Sequence, residues 1–313
     1  MRDELSLPPQ FQSGAFSVSA AVAAGVTPGK LRNPKLHAPF VGVRSHTEPI
    51  SRRERAIALG QRLSDGQAIS GLAAAELWGL RIPNLANTRS ADIEVLTRAS
   101  VSRVRIGGVK SRAIRDDFFR ASRLGSVPVV SPVLAVLTSA MHLNAFDITV
   151  MLDALLTDFN KYPSLNFAER PLLVPADLPA ILAKFERMRG IRTLRQAVVR
   201  ARPRVESPME SVARLQFVDA GLPEPEVQPE VFLDDGTLYR PDLGYPEAGL
   251  YLNYDGDFHF TDQATIDADV LRDRQFQEAG MRLMHVVKTD LNGKRWHELV
   301  RSIRVQLARS AVI

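Results

Sequence analysis

Apolar residues recur along this chain with two spacings, one that suits helices and one that suits strands. An Ala/Val-rich run from Ser17 to Ala24 predicts a helix, with Gly25 as its C-cap. Thr27 and Pro28 supply an N-cap and a first-turn proline for a second short helix, Pro28 to Arg32. Ala38 to Val43 then reads as a short strand. Helix, tight glycine turn, helix and strand is the order of a winged helix-turn-helix, and it predicts such a unit over residues 1–50. Lys30, Arg32 and Lys35 lie on or just after its second helix, where they would meet nucleic acid. A helical hairpin that happens to carry a few lysines accounts for the same pattern.

Residues 51–204 predict a mixed α/β middle region. Ser51 and Glu54 form a capping box for a helix reaching about Leu63, and Ser70 to Gly79 reads as an apolar helix. Asp92 to Leu96 and Val104 to Ile106 alternate as strands, and Ser131-Pro132 caps a helix from Val133 to His142. Beyond these, prolines at 163, 171, 175 and 179 break the helical pattern. A densely arginine-rich stretch then follows, in which Arg192 and Arg195 share a helix face suited to phosphates. A solvated linker helix accounts for that face equally well.

Sharper signals fill residues 205–313. Ser207-Pro208-Met209-Glu210 opens a helix that stops at Gly221. Strand-like runs follow at 226–233, 237–243 and 249–255, the first two joined by the hairpin signal Asp235-Gly236. A helix at 266–279, a strand at 281–287 and a helix at 292–309 complete the order αβββαβα. The fold class expected for the whole chain is therefore α+β and multi-domain.

Charge adds a direction to this picture. Residues 1–204 carry a net +13 and residues 205–313 a net −8, so a polyanion meets the front first. There is no cysteine, which excludes a disulfide scaffold and limits any metal site to oxygen and imidazole ligands. No apolar run approaches the roughly 18 residues of a transmembrane helix, and no signal-peptide core is visible. A cytoplasmic protein without membrane partners is expected.

Candidate chemistry concentrates on the predicted strands. Asp242 follows Arg240-Pro241, and Asn253-Tyr254-Asp255-Gly256 comes shortly after it, Asp255 thirteen residues past Asp242, with His259 beyond. Alternate strand residues share a face, so Asn253 and Asp255 point the same way. Acidic groups on adjacent strands are the minimal donor set for Mg²⁺, which takes one or two carboxylates and keeps several waters. Purely structural roles fit several of the same residues. Glu210 is accounted for by helix capping alone, Asp255-Gly256 by a turn, and Asp269 with Arg272 by a helix-surface ion pair. His285, within an apolar strand, reads as a half-buried packing residue.

Two resemblances carry these residues further. The segments "SVSAAVAAGVTPGKLR", "ISGLAAAELWGL" and "VPVVSPVLAVLTSA" resemble the AbiEi-type antitoxin N-terminal region of actinobacterial proteins. That likeness implies a DNA-binding winged helix, often followed by a nuclease-like domain. The C-terminal third resembles nuclease-like families of unassigned function related to very-short-patch-repair endonucleases. Their pattern is a helix glutamate, an aspartate, E-x-D-G-x-x-H, then D-x-x-R before a glycine and a strand. Carried over, Glu210 matches the helix glutamate and Asp242 the metal-binding aspartate. Asp255 and His259 match D-G-x-x-H, Asp269 and Arg272 match D-x-x-R, and Gly280 matches the glycine. Asn253 departs from the pattern by standing where relatives carry glutamate, and its neutral amide binds a metal more weakly.

The resemblance implies a Mg²⁺-dependent endonuclease of the PD-(D/E)xK type acting on double-stranded DNA. Asp242 and Asp255 would hold the metal, Glu210 and the Asn253 amide would complete the site, and His259 would assist proton transfer. The alternative is a catalytically inactive, antitoxin-like transcriptional regulator, with the nuclease fold serving as a module for a toxin or other protein partner.

Overall fold

The computed structural model describes residues 6–83, 92–159, 162, 165, 169–233, 236–256 and 263–310, apart from the side chains of 263–269. The chain divides into two compact units, residues 1–148 with 182–195, and residues 149–181 with 196–313.

The first unit opens with β1 (Ala15–Ser17), α1 (Val18–Ala23), α2 (Pro28–Leu31) and β2 (Val43–Ser45). Ser17 and Thr27 cap the two helices as their side chains accept the amides of Ala20 and Lys30. β1 and β2 pair antiparallel, Ala15 opposite Ser45. The strand expected at 38–43 therefore starts only at Val43. Pro39 has no amide to give a ladder, and Gly42, at φ +82°, closes a turn in which the Val43 amide bonds the Phe40 carbonyl at 3.0 Å. Leu7, Phe11, Phe16, Val26 and Leu31 form the apolar cluster beneath this segment.

Next come α3 (Arg52–Gly60), β3 (Gln67–Ile69), α4 (Gly71–Leu77), β4 (Ile93–Arg98), β5 (Val109–Ile114), β6 (Ala121–Leu124), β7 (Val127–Val130) and α5 (Pro132–Ser139). The capping box of α3 has both halves, Ser51 taking the Glu54 amide at 3.1 Å and Glu54 taking the Ser51 amide at 2.9 Å. Five strands form one mixed sheet in the order β5-β4-β3-β7-β6. β4 lies parallel to β5 and antiparallel to β3, while β3 is parallel to β7. The strand expected at 104–106 is not one; the chain turns at Gly108, φ +77°, and pairs from Val109. Trp78, 1% exposed, donates its indole N–H to the Val130 carbonyl at 2.8 Å, which ties α4 to β7.

The division between units falls within α6 (Ala145–Leu156), α7 (Leu178–Lys184) and α8 (Ile191–Arg200). The second unit then contains α9 (Pro208–Asp219), β8 (Glu226–Val227), β9 (Val231–Phe232), β10 (Leu238–Tyr239), β11 (Leu243–Tyr245), β12 (Leu250–Asp255), α10 (Gln263–Glu278), β13 (Arg282–Val287) and α11 (Gly293–Ser310). Its main sheet runs β13-β12-β11-β8, with β13 parallel to β12 and the other pairs antiparallel. The expected runs 226–233 and 237–243 each split in two. Gln228 adopts φ +48°, and Pro229 and Pro241 cannot donate to a ladder, so β9 and β10 leave the main sheet as a separate hairpin. Asp235 of the expected turn lies outside the described residues. Beneath the hairpin, Tyr239 and Tyr251 meet Phe276 edge-on.

A buried ion pair anchors this unit. Asp153 on α6 accepts Arg214 Nη2 at 2.8 Å and Ser211 Oγ at 2.7 Å from α9, and the Arg202 amide at 2.7 Å. The Arg214 side chain is 1% exposed and that of Asp153 is fully covered. Glu224 closes the array, taking Arg214 Nη1 and Arg202 Nη2, each at 2.6 Å. Among the described residues, no helix is long and apolar enough to cross a membrane.

Candidate active site

Glu210 sits in the first turn of α9, 4% exposed. Ser207 caps that turn by accepting the Glu210 amide at 3.3 Å. The Glu210 carboxylate does not reach back to the cap amide; it takes the amide of Glu206, one residue earlier, at 2.9 Å. Burial, and then the charge of Asp242, raise its pKa to about 8, while the bonds from Ser207 and Glu206 pull the other way. The Glu210 carboxyl and the Asp242 carboxylate are thus close enough to oppose each other's ionisation, although they lie far apart in sequence.

Asp242 stands just before β11, opposite Asn253 when the β11–β12 register is continued one residue beyond Leu243 and Leu252. The Asn253 amide oxygen accepts the Asp242 amide at 3.2 Å, and the Tyr254 amide donates to Asp242 Oδ2 at 2.6 Å. The first bond ties the Asp242 backbone to β12, and the second holds its carboxylate against that strand. The Asn253 contact uses only its carbonyl oxygen as an acceptor.

The same row continues onto the next strand. β12 and β13 pair with Asn253 opposite His285, so Asp242, Asn253 and His285 fall in line across three strands. His285 Nδ1 lies 2.8 Å from Asp255 Oδ2, and Nε2 lies 3.0 Å from Asp273 Oδ1 on α10. A ring with carboxylates at both nitrogens holds two protons and a positive charge. The Asp255 bond raises its pKa to about 9 with help from Asp273, against the opposing effect of burial.

Asp242 contacts Asn253 and feels the charge of Glu210, whereas Asp255, expected to hold a metal with Asp242, engages His285 instead. His259 lies outside the described residues, as does the Asp269 side chain. The Arg272 guanidinium stacks over the Tyr239 ring at 4.9 Å. In the first unit Lys30, Arg32 and Lys35 are exposed, with Lys30 Nζ bonded to the Ser6 carbonyl at 3.1 Å. Arg192 and Arg195 are exposed on α8. Sequence reasoning missed the charged role of His285 and missed Asp273 altogether. The strand register, which a single sequence does not reveal, brings His285 opposite Asn253, and the packing of α10 brings Asp273 to its ring.

Among the described residues no group of three or more His, Asp or Glu side chains is arranged to hold a metal ion. Two carboxylates in electrostatic conflict, with all-oxygen donors, nonetheless suit a hard cation that fills its remaining positions with water.

No family model matches the chain. Over 103 residues it is 34% identical to an uncharacterized protein of Mycobacterium tuberculosis strain CDC 1551 / Oshkosh, and equally to one from strain ATCC 25618 / H37Rv. The match takes in 33% of this chain, and the chain spans 38% of the length of each of these curated relatives. No solved structure matches.

Proposed function

We propose that the C-terminal unit is a metal-dependent phosphodiesterase of the restriction-endonuclease, PD-(D/E)xK type, acting on double-stranded DNA. The observation that carries this reading is the electrostatic opposition of buried Glu210, at the start of a helix, and Asp242, just before the inner strand β11 of a mixed sheet. Glu210 and Asp242 would hold Mg²⁺, which supplies an activated water and neutralises charge on the leaving oxygen. The Tyr254 amide and the Asn253 side chain orient Asp242. His285, held at both ring nitrogens by Asp255 and Asp273, would brace β12 and α10 beside this row. Lys30, Arg32, Lys35, Arg192 and Arg195 would contact the DNA backbone, compensating for the net −8 of residues 205–313.

One observation favours a second reading, a catalytically inactive antitoxin-like regulator that binds DNA through its N-terminal region. Asn253 brings no charge to the site, and its oxygen is engaged by the Asp242 amide.

Nicking of supercoiled plasmid in Mg²⁺ or Mn²⁺ separates the two. Cleavage by the wild type that disappears with chelator and in Asp242→Ala is expected. Metal-independent DNA binding without cleavage supports the regulator, and equal cleavage by Asp242→Ala refutes the site.

A further inference from the structure

In the N-terminal unit, β4, β5 and residues 183–189 line a cavity of about 740 Å³. This lies within the roughly 300–1,000 Å³ of small-molecule sites. It is separate from the Glu210–Asp242 site, and nothing in its chemistry depends on the reading of that site.

Six basic side chains against two carboxylates line the cavity. Asp92 and Asp117, outside the lining, pair with Lys110 at 3.2 Å and with Arg115 at 2.9 Å. Lys184 and Arg189 have no carboxylate partner among the described residues, and the Lys184 ammonium instead stands 4.5 Å from the centre of the Phe118 ring. Phe118 packs on Phe185 at 5.2 Å, and Ile114, Met141 and Met188 extend the apolar lining. Thioethers and rings together make an adaptable wall for a flat aromatic group.

Within this basic, apolar surround sits a single well-fixed acceptor. Glu94, with a side chain 12% exposed, lies 3.1 Å from His142 Nε2 and 3.5 Å from Arg112. Its register partner Lys110, and Arg112 two residues on, share its face of the sheet. The carboxylate occupies space that only a glycine leaves. A Cβ on Gly71, at φ +61°, would stand 2.5 Å from Glu94 Oε2.

These features select among ligands. Inorganic phosphate would satisfy the cations but leave the Met141, Met188 and Phe185 surface wetted and most of the volume unfilled. A wholly apolar molecule would strip water from Lys184 and Arg189 without compensation. Duplex DNA, with its bases stacked inside, offers no aromatic face to such a cavity. A phosphate joined to an aromatic base meets all the requirements. The phosphate pairs with Lys184, Arg189 and Arg112, the base lies against sulfur and ring, and an exocyclic amino group donates to Glu94. The geometry points to this cavity as a binding site for a nucleotide, either free or as an unpaired residue of a single strand.

Fluorescence anisotropy of a short fluorescein-labelled poly-dA strand, with full-length protein in chelator, tests this. The strand should bind, and Lys184→Ala with Arg189→Ala should weaken it about tenfold or more, the loss expected of charge-assisted contacts. Both residues are exposed, so the melting temperature should not move. Phe185→Ala should weaken it as well, while Asp242→Ala should leave it unchanged. That last control separates this site from the proposed nuclease site. Displacement by unlabelled dAMP assigns the cavity to free nucleotides, and displacement only by unlabelled strand assigns it to single-stranded nucleic acid. Absence of binding, wild-type binding by the Lys184/Arg189 variant, or displacement by inorganic phosphate as effective as by dAMP overturns the assignment.

Discussion

Glu210→Gln removes the ionisable proton from the buried carboxyl pair and keeps an oxygen for the Glu206 amide. The wild-type group has its pKa raised from an ordinary 4.5 to about 8, first by burial and then by Asp242. At ~1.4 kcal/mol per pKa unit, ionising Glu210 inside the fold is costlier than in the unfolded chain by about 4–5 kcal/mol. The sign follows from proton uptake. Between these two values the folded state holds a proton that the unfolded state has lost, so stability falls as pH rises. The favourable contribution is complete below pH 4.5 and is gone once the pH passes about 8. In chelator at pH 7, Glu210→Gln should therefore be more stable by about 2–3 kcal/mol, or several degrees in melting temperature at ~2–4 °C per kcal/mol. Urea titrations at pH 5 and pH 8 measure the effect, with the wild type losing about 3 kcal/mol more than the variant over that interval. Added Mg²⁺ should stabilise the wild type and leave the variant nearly unchanged. A variant no more stable than wild type, with the same pH slope, would mean that neither burial nor Asp242 holds the proton on Glu210.

Asp153→Ala leaves Arg214 buried with Glu224 as its remaining carboxylate partner, and thermal melts should show a loss of about 3–5 kcal/mol. A loss under ~1 kcal/mol would show that the pair is solvated. His285 has its pKa raised from 6.5 to about 9, so its stabilisation is complete below pH 6.5 and is lost as pH rises through about 9. With the side chain 30% exposed, that loss should be about 1–2 kcal/mol between pH 7 and 10 and absent from His285→Asn. An NMR titration of the imidazole protons with a midpoint near its ordinary 6.5 would refute the Asp255–His285–Asp273 array.

Helices with caps were legible in the sequence because their signals are local. Thr27, Ser51, Ser131 and Ser207 each cap the helix expected of them, and Ser17 caps a helix of which it was expected to be the first residue. The short strands were harder to read. β3 is three residues long and β6 and β7 four each, too brief to establish an alternation, and β7 is buried along its whole length. In the second unit a positive φ at Gln228 broke one expected strand into pieces of two different sheets. The acidic residues of the candidate site were visible as motif matches, yet their partners were not. His285 and Asp273 reach Asp255 from a parallel strand and a helix whose placement depends on tertiary pairing.

Asp153 also bears on how the chain can be cut. A fragment beginning at residue 205, where the sequence changes character, would carry Arg214 and leave behind both Asp153 and the Arg202 backbone that bonds it. The arginine would then hold a nearly water-free place in α9 without the aspartate that neutralises it. An excised piece that keeps Glu210 and Asp242 must therefore reach back through residue 149, where the second compact unit begins.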